Sequence, residues 1–393
     1  MTTNRNIRIG IAEAGIRHDM SCPPDLATQF QLVKECGAFD YLDKTPARAQ
    51  LAEYARLSER FDLPILAGGW WYTLGRDEDL LAENIRVGAE LGSLVHNVQI
   101  MMDHADGHLV TDQEVADAYV RAYDLGATLR CRPALEVHIN MWSEDFRRVA
   151  KVAALVESRG IPFHLTLDHS HIIFKINNDR ELKVFGLDAA ITAGDLILDP
   201  FTPGNVCEQW IHSGWVAHCH ARSTVPNNPR NVWAEHPSLD SLPSSLHPRD
   251  LIGRGVQYPF IEPGAGEWHS RWDERALEPW KEVMRQLLSF HSSSPASQLQ
   301  LISTEFIPFT DYGQGALYSL FDNSVACARW IRSAIAHADS TKQVQDRAMP
   351  RRCESTVGNG GKDRSAPVTG SVCRDHSSAE PRHSDYQDVI HGC

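Results

Sequence analysis

The sequence lacks three features that mark common classes of protein. It has no run of the roughly 18 apolar residues that a membrane-spanning helix needs, and its start, MTTNRNIRIG, lacks the apolar stretch of a secretory signal. Its nine cysteines include no CxxC pair. We therefore expect neither membrane insertion nor export, and we expect reduced thiols in a cytoplasmic protein.

Positive charge is scarce relative to negative charge. The chain has 38 Lys and Arg residues against 51 Asp and Glu residues, which gives a formal net charge of −13. Because binding to a phosphate backbone needs a concentrated basic face, this balance argues against a nucleic-acid partner. The expected partner is a small molecule, and association with further copies of the chain, as a homo-oligomer, is left open.

The first apolar segment is not followed by a glycine-rich phosphate loop, since EAGIRHDM contains no GxGxxG. This absence disfavours a doubly wound open sheet. Between residue 7 and about residue 337, eight short apolar runs alternate with stretches of helical period, which is typical of an α/β protein. Eight such units predict a (β/α)8 TIM barrel. The predicted strands are 7–13, 38–43, 63–69, 94–101, 133–140, 162–168, 214–220 and 299–306.

Two segments depart from this alternation. Residues 223–259 are rich in Pro, Ser and Asn and follow the seventh predicted strand. Because a loop of this length is usually functional or disordered, we predict a lid-like insertion over the active face. The apolar periodicity ends near residue 340, and the composition beyond it is typical of disorder. We therefore predict a barrel over 1–338 and a disordered tail over 339–393.

Four ionisable residues lie in or at the end of the last four predicted strands. A lone buried charge costs on the order of several kcal/mol unless it is paired or bound to a metal. The C-terminal strand ends of a TIM barrel meet at one face, where its active sites lie. A set of Glu, Asp, His and Glu suits one divalent ion, Mn²⁺, Mg²⁺ or Co²⁺, and Zn²⁺ less well. The four residues are Glu136, Asp168, His220 and Glu305.

Neighbouring residues extend this pattern, and each has a simpler explanation when taken alone. Asp168 could cap a turn with His171 merely solvated. His218 and His220 are two positions apart on a strand and therefore share one face. Arg222 follows on that face, where it could meet an anionic or hydroxylated substrate. Because Glu, Asp, His and Glu occur on four successive strands, five to eight, a shared functional site is favoured over a separate structural role for each residue.

This order resembles that of the xylose isomerase-like TIM-barrel superfamily, which includes ketose 3-epimerases, hydroxypyruvate isomerase, inosose dehydratase, 3-dehydroshikimate dehydratase and endonuclease IV. DHSH resembles the DxxH segment of the ketose 3-epimerases, and HCHAR resembles an HxH segment whose second histidine binds metal. PGAGEW at 263–268 resembles a PGxGxxxW loop. The resemblance covers roughly residues 7 to 337. It implies as metal ligands Glu136, Asp168, His220 and Glu305.

The resemblance also implies an activity. It is that of a metal-dependent isomerase or epimerase that acts on a sugar-like hydroxy-ketone, a polyol or keto-sugar, through an enediolate. Glu136 and Glu305 would transfer the proton, while the metal ion acts as a Lewis acid. The residues expected to contact the substrate are His171, Arg222, His218 and Trp70.

Other functions remain open. The same residues would eliminate water if a hydroxyl left the carbon next to the one that loses a proton, as in an inosose or dehydroshikimate dehydratase, a lyase. An AP endonuclease of the endonuclease IV type is a remote alternative, because it uses additional histidines on early strands. Here the second strand ends in DYLDKTP without a histidine, and His96 lies near the start of the fourth. A binding module without catalysis is disfavoured because all four ligand types are present.

Overall fold

Eight parallel strands form a closed barrel in a computed structural model of the chain. The structure describes residues 6–18, 22–234 and 251–348. Each strand pairs with the next along the chain, and the eighth pairs with the first, so the predicted TIM barrel is confirmed. The strands are β1 (Arg8–Ala12), β2 (Tyr41–Asp43), β3 (Ile65–Tyr72), β4 (Val95–Ile100), β5 (Arg132–Glu136), β6 (Leu165–Leu167), β7 (Val216–Ala221) and β8 (Leu301–Thr304).

Helices pack around this barrel. Four short ones between β6 and β7, α6 to α9, have no counterpart in the sequence prediction, because each is too short to show a helical period. No helix in the described part of the chain is long and apolar enough to cross a membrane. The helices are α1 (Leu26–Cys36), α2 (Leu51–Phe61), α3 (Glu78–Leu91), α4 (Asp112–Leu129), α5 (Arg147–Glu157), α6 (Ser170–Ile173), α7 (Asp179–Leu182), α8 (Leu187–Ala193), α9 (Val206–His212), α10 (Glu278–Ser293) and α11 (Leu320–Ala348).

The predicted insertion and the predicted tail are each described only in part. Within 223–259, residues 235–250 lie outside the described residues, as do residues 349–393 of the tail. α11 runs to Ala348, past the predicted end of the barrel at residue 338. Its last turns contain Lys, Gln, Arg and Ala, which favour a helix without an apolar stripe, whereas the boundary was predicted from the loss of apolar periodicity.

The barrel interior changes from apolar to polar along the strands. One apolar cluster includes the side chains of Tyr41, Ala67, Val95, Ala134 and Leu301. Because side chains alternate along a strand, the residues two positions later face the same side. These are Asp43, Gly69, Asn97, Glu136 and Ser303. Polar groups therefore collect toward the C-terminal strand ends, where the sites of TIM barrels lie.

Gly126 allows α4 to approach the start of β5 closely. A Cβ at this position would lie 2.2 Å from the carbonyl oxygen of Cys131. Gly126→Ala is therefore expected to lower the free energy of unfolding by about 1–3 kcal/mol, despite the better helix propensity of alanine. Gly88→Ala in α3 is the matched control, because its methyl group would meet Cys131 Sγ at an ordinary 3.5 Å. Equal free energies of unfolding for the two variants in urea would contradict this packing argument.

Candidate metal centre

The four residues predicted as ligands meet inside the barrel. Glu136 and His220 lie in β5 and β7, while Asp168 and Glu305 directly follow β6 and β8. One ligand atom from each of the four lies within 4.8 Å of the other three. Glu136, Asp168 and His220 are buried, and Glu305 is partly buried. We call these four residues the central cluster.

The spacing of the donors in the central cluster fits a divalent ion. His220 Nδ1 lies 2.9 Å from Glu136 Oε1 and 3.0 Å from Glu305 Oε2. Two ligands bound at right angles to an ion at about 2.1 Å are themselves about 3 Å apart. Three carboxylates and one imidazole form a donor set that Mn²⁺, Mg²⁺ and Co²⁺ accept. The residues present could therefore hold one such ion.

Two amides donate hydrogen bonds to Glu136. Asn97 Nδ2 and Gln99 Nε2 both donate to Glu136 Oε2, the latter at 2.5 Å. Burial raises the pKa of Glu136, but the charge and hydrogen bond of His220 outweigh burial and bring this pKa below its ordinary value. Neither amide belongs to the predicted site, although their alternation in β4 is a signal of an inward polar face.

Asp43, at the end of β2, supports His220 from the side opposite the other ligands. Its Oδ2 lies 3.5 Å from His220 Nε2 and accepts a hydrogen bond from Ser303 Oγ at 2.5 Å. His220 Nε2 is buried and hydrogen-bonds to none of the described residues. Because a metal-binding imidazole commonly presents its other N–H to a carboxylate, Asp43 is suited to orient His220. The DYLD segment, with a carboxylate at a C-terminal strand end, is the sequence signal for it.

His218, predicted to contact the substrate, lies against Ser303 and Asp43 inside the barrel. Its Nε2 lies 3.0 Å from Ser303 Oγ and 3.5 Å from Asp43 Oδ2, and the residue is fully buried. Burial lowers its pKa to about 3, so the imidazole is neutral near pH 7. Its polar contacts face the barrel interior behind His220. His218 therefore lies deeper than His220, and its contact with a substrate stays a prediction.

Arg222 lies among the carboxylates of the central cluster. Its Nη1 is 2.8 Å from Asp168 Oδ2, and its Nη2 pairs with Glu305 Oε2. Its guanidinium carbon lies 4.3 Å from the centre of the Tyr312 ring. Burial raises the pKa of Asp168, but Arg222 and a neighbouring histidine outweigh burial and hold this pKa well below its ordinary value. The positive charge of Arg222 therefore balances part of the negative charge of the cluster.

His171 contacts the same residues. Its Nε2 lies 3.2 Å from Asp168 Oδ2 and 3.2 Å from Arg222 Nη1. The Nε2 atom of the adjacent His138 lies 2.9 Å from the Tyr312 hydroxyl. Tyr312 follows β8 in a loop that carries no motif, so the sequence offers no signal for it. His171 and Arg222 thus lie side by side next to the central cluster.

β3 brings a pair of tryptophans to the mouth of the barrel. Trp71 pairs with Gln99, whose side chain reaches Glu136, so strand alternation places Trp71 on the inner face. Trp70 packs against the main hydrophobic core, and its ring stacks on that of Trp71 at 4.2 Å. Alternation therefore places Trp71 on the inner face with Trp70 stacked behind it, and the predicted contact of Trp70 with a substrate stays a prediction.

His96, considered above for the endonuclease alternative, faces away from the central cluster. Its Nε2 lies 2.7 Å from the hydroxyl of Tyr72, which also accepts a hydrogen bond from Asn84 of α3. Burial lowers the pKa of His96 to about 4. A second group of three potential ligands, Asp43, His218 and His220, shares His220 with the cluster and does not include His96. His96 therefore adds no ligand to the centre.

Comparisons with known proteins find similarity in structure but not in sequence. No family model and no curated protein matches the sequence. A D-psicose 3-epimerase with D-tagatose from Clostridium cellulolyticum H10 is 10% identical with a TM-score of 0.47, over 84% of this chain and 99% of that one. A 3-keto-D-glucoside 4-epimerase from E. coli is 12% identical with a TM-score of 0.44, over 84% and 100% of the two chains.

A third solved structure contains a metal ion. It is a xylose isomerase-like TIM-barrel protein from Mycobacterium smegmatis in complex with magnesium, 11% identical with a TM-score of 0.47, over 85% of this chain and 100% of that one. At such identities the similarity concerns the fold alone, and it assigns no reaction to this chain.

Proposed function

We propose that the protein is a divalent-metal-dependent isomerase or epimerase of a sugar-like hydroxy-ketone, with a polyol or keto-sugar as its partner. The observation that supports this proposal is the convergence of two glutamates, one aspartate and one histidine at the C-terminal strand ends. A bound Mn²⁺, Mg²⁺ or Co²⁺ would act as a Lewis acid on adjacent substrate oxygens. The ligands would be Glu136, Asp168, His220 and Glu305.

Glu136 and Glu305 form the proposed proton-transfer pair. One carboxylate accepts the proton from the carbon next to the carbonyl, and the other returns a proton to a neighbouring carbon or to the opposite face. Glu136 Oε2 accepts hydrogen bonds from two amide donors, which fix the orientation of this carboxylate. The side chain of Glu305 is 13% exposed against 0% for Glu136, so Glu305 lies nearer the side from which a substrate arrives.

Arg222 and His171 are suited to hold the substrate hydroxyls. Both contact Asp168 and both are buried, so a substrate that reaches them is removed from water. On substrate binding, Arg222 would give up its contact with Glu305 and donate to a substrate oxygen instead. Glu305 would then be free to take part in proton transfer. Trp71 would cover an apolar face of the sugar, as aromatic rings do in sugar sites.

Asp43→Asn tests the support that His220 receives. Loss of the outer carboxylate is expected to weaken ion binding by about 10–100-fold, because the imidazole is no longer fixed in orientation. The variant keeps a hydrogen-bond acceptor for Ser303 Oγ. Competition with a chelating indicator dye measures the dissociation constant. Asp62→Asn, at an exposed residue paired with Lys34, is the control, and equal constants for the two variants would contradict the positioning role.

The reaction itself is tested by isotope exchange. The protein, loaded with Mn²⁺, is incubated in D₂O with a panel of ketoses, inososes and dehydroshikimate, and the products are followed by NMR. We expect deuterium next to the carbonyl and formation of an epimer or aldose. An unsaturated ketone that absorbs in the ultraviolet would instead identify a dehydratase. Bound Mn²⁺ with neither exchange nor turnover on any member of the panel would reject the proposal.

A further inference from the structure

The loop between β4 and α4 carries another group of potential ligands, which shares no residue with the central cluster. One ligand atom from each of His104, Asp106 and His108 lies within 4.8 Å of the others. Asp106 Oδ1 is 3.0 Å from His104 Nδ1 and 2.5 Å from His108 Nδ1. The three side chains are 22%, 64% and 43% exposed in sequence order, so an ion can reach them from solvent. We call these three residues the loop cluster.

A tight hairpin holds the loop cluster in place. His104 N donates to His108 O at 2.9 Å, and Gly107 N donates to His104 O at 2.9 Å. Gly107 adopts a φ of 97°, a backbone conformation that favours glycine. At Gly75, a Cβ would meet the His104 ring at 2.4 Å, so this glycine leaves the space that the imidazole occupies. The backbone thus sets both imidazoles side by side, with ring centres 4.6 Å apart.

Glu114, in the first turn of α4, orients His108. Its Oε1 lies 3.0 Å from His108 Nε2. The same carboxylate is fixed by the capping box of α4, because Glu114 Oε2 accepts hydrogen bonds from Thr111 N and Thr111 Oγ1, both at 2.8 Å. A carboxylate on one ring nitrogen fixes the tautomer and leaves the other nitrogen as a lone-pair donor. The other nitrogen, His108 Nδ1, faces Asp106 Oδ1, with which it forms a hydrogen bond, and is the atom that could bind an ion in its place.

We propose that the loop cluster binds a zinc ion through His104 Nδ1, His108 Nδ1 and the Asp106 carboxylate, with Glu114 as the outer partner of His108. Two imidazoles and one carboxylate, with water in the fourth position, form a known type of zinc donor set. Tetrahedral ligands at about 2.0 Å from zinc lie about 3.3 Å apart. Binding of zinc would therefore move the Asp106 carboxylate away from His108 Nδ1 by less than about 1 Å. An exposed side chain can make this shift. This site is independent of the central cluster.

Zinc content tests the proposal. The full chain is equilibrated with Zn²⁺, dialysed and analysed for bound metal beside a His104→Ala, His108→Ala double variant. We expect the double variant to hold one zinc equivalent less than the wild type, whether or not the central cluster also binds an ion. His18→Ala is the control, because His18 is an exposed histidine that lies 3.6 Å from one carboxylate and outside the loop cluster. Equal zinc content in the wild type and the double variant would overturn the proposal.

Glu114→Gln tests the orientation of His108 separately from folding. Glutamine serves at this position of a capping box, so α4 keeps its N-terminal hydrogen bonds while the charge facing His108 Nε2 is lost. We expect the affinity for Zn²⁺ at the loop cluster to fall by about 10–100-fold. Replacement of Zn²⁺ by Co²⁺ gives a second readout, since the strong visible d–d absorption of tetrahedral cobalt should be present in the wild type and lost in the double variant, which keeps only the weaker absorption of an octahedral ion in the central cluster. The same cobalt spectrum in both proteins would also contradict the proposed site.

Discussion

Glu136→Gln is expected to slow proton exchange between substrate and solvent by about 10²–10⁴-fold, the usual contribution of a general acid or base. Glutamine has nearly the same shape as glutamate, so the core around this buried position is preserved. It cannot accept the substrate proton, and it presents one neutral oxygen in place of a charged carboxylate. The rate of deuterium incorporation into a turned-over ketose, at saturating Mn²⁺, measures the loss.

The control for this variant is Glu59→Gln, which makes the same chemical change at an exposed position of α2. It should exchange protons at the wild-type rate. Metal binding to the Glu136→Gln variant is measured separately, because a weakened ion site and a lost proton acceptor both lower the rate. Exchange at the wild-type rate in the Glu136→Gln variant would remove Glu136 from the proposed proton-transfer pair.

Arg254→Leu is expected to lower the free energy of unfolding by about 3–5 kcal/mol, because it leaves buried carboxylates without their main partner. Arg254 is buried and donates to both Glu144 and Glu181, the latter through Nη2 at 2.5 Å. The variant still contains Lys175, whose Nζ lies 2.9 Å from Glu144 Oε1. Burial raises the pKa of Glu144, but Arg254 and Lys175 outweigh burial and hold this pKa well below its ordinary value.

Arg285→Leu is the matched control, since Arg285 also pairs with two glutamates but lies at the surface. Exposed ion pairs contribute about 0–1 kcal/mol, so this variant should unfold close to the wild type in urea. Equal losses in the two variants would contradict the role assigned to the buried network. Arg254 belongs to the predicted insertion at 223–259, so this network also anchors the described part of that insertion to the loop after β5 and to α7.

The barrel and its central cluster could be predicted because both follow from strand alternation. A barrel strand shows its inward side chains as every second residue, and an ionisable group among them is conspicuous, as with Glu136 and His220. Asp168 and Glu305 were found for the same reason, although each lies one residue beyond its strand. The parallel order of the strands then brings four distant positions to one face. The convergence of these four residues could therefore be predicted from the sequence pattern.

Residues whose roles depend on a neighbour's position could not be recognised in the same way. Asn97 and Gln99 are ordinary amides until the register of β4 and β5 brings them to Glu136. Tyr312 reaches Arg222 from a loop whose path no local pattern predicts. In β7, the HCH segment predicts that both histidines face inward, but not that His218 lies deeper than His220, against Ser303 and Asp43.

The most direct test of the account is anomalous diffraction at the manganese edge from crystals of the protein soaked in Mn²⁺. We predict an anomalous peak inside the barrel, within coordination distance of Glu136, Asp168, His220 and Glu305. Absence of a peak at that position in saturated crystals, with Arg222 still paired to Asp168 and Glu305, would show that the guanidinium and not a metal ion balances these carboxylates. That result would contradict the metal centre and the reaction proposed from it.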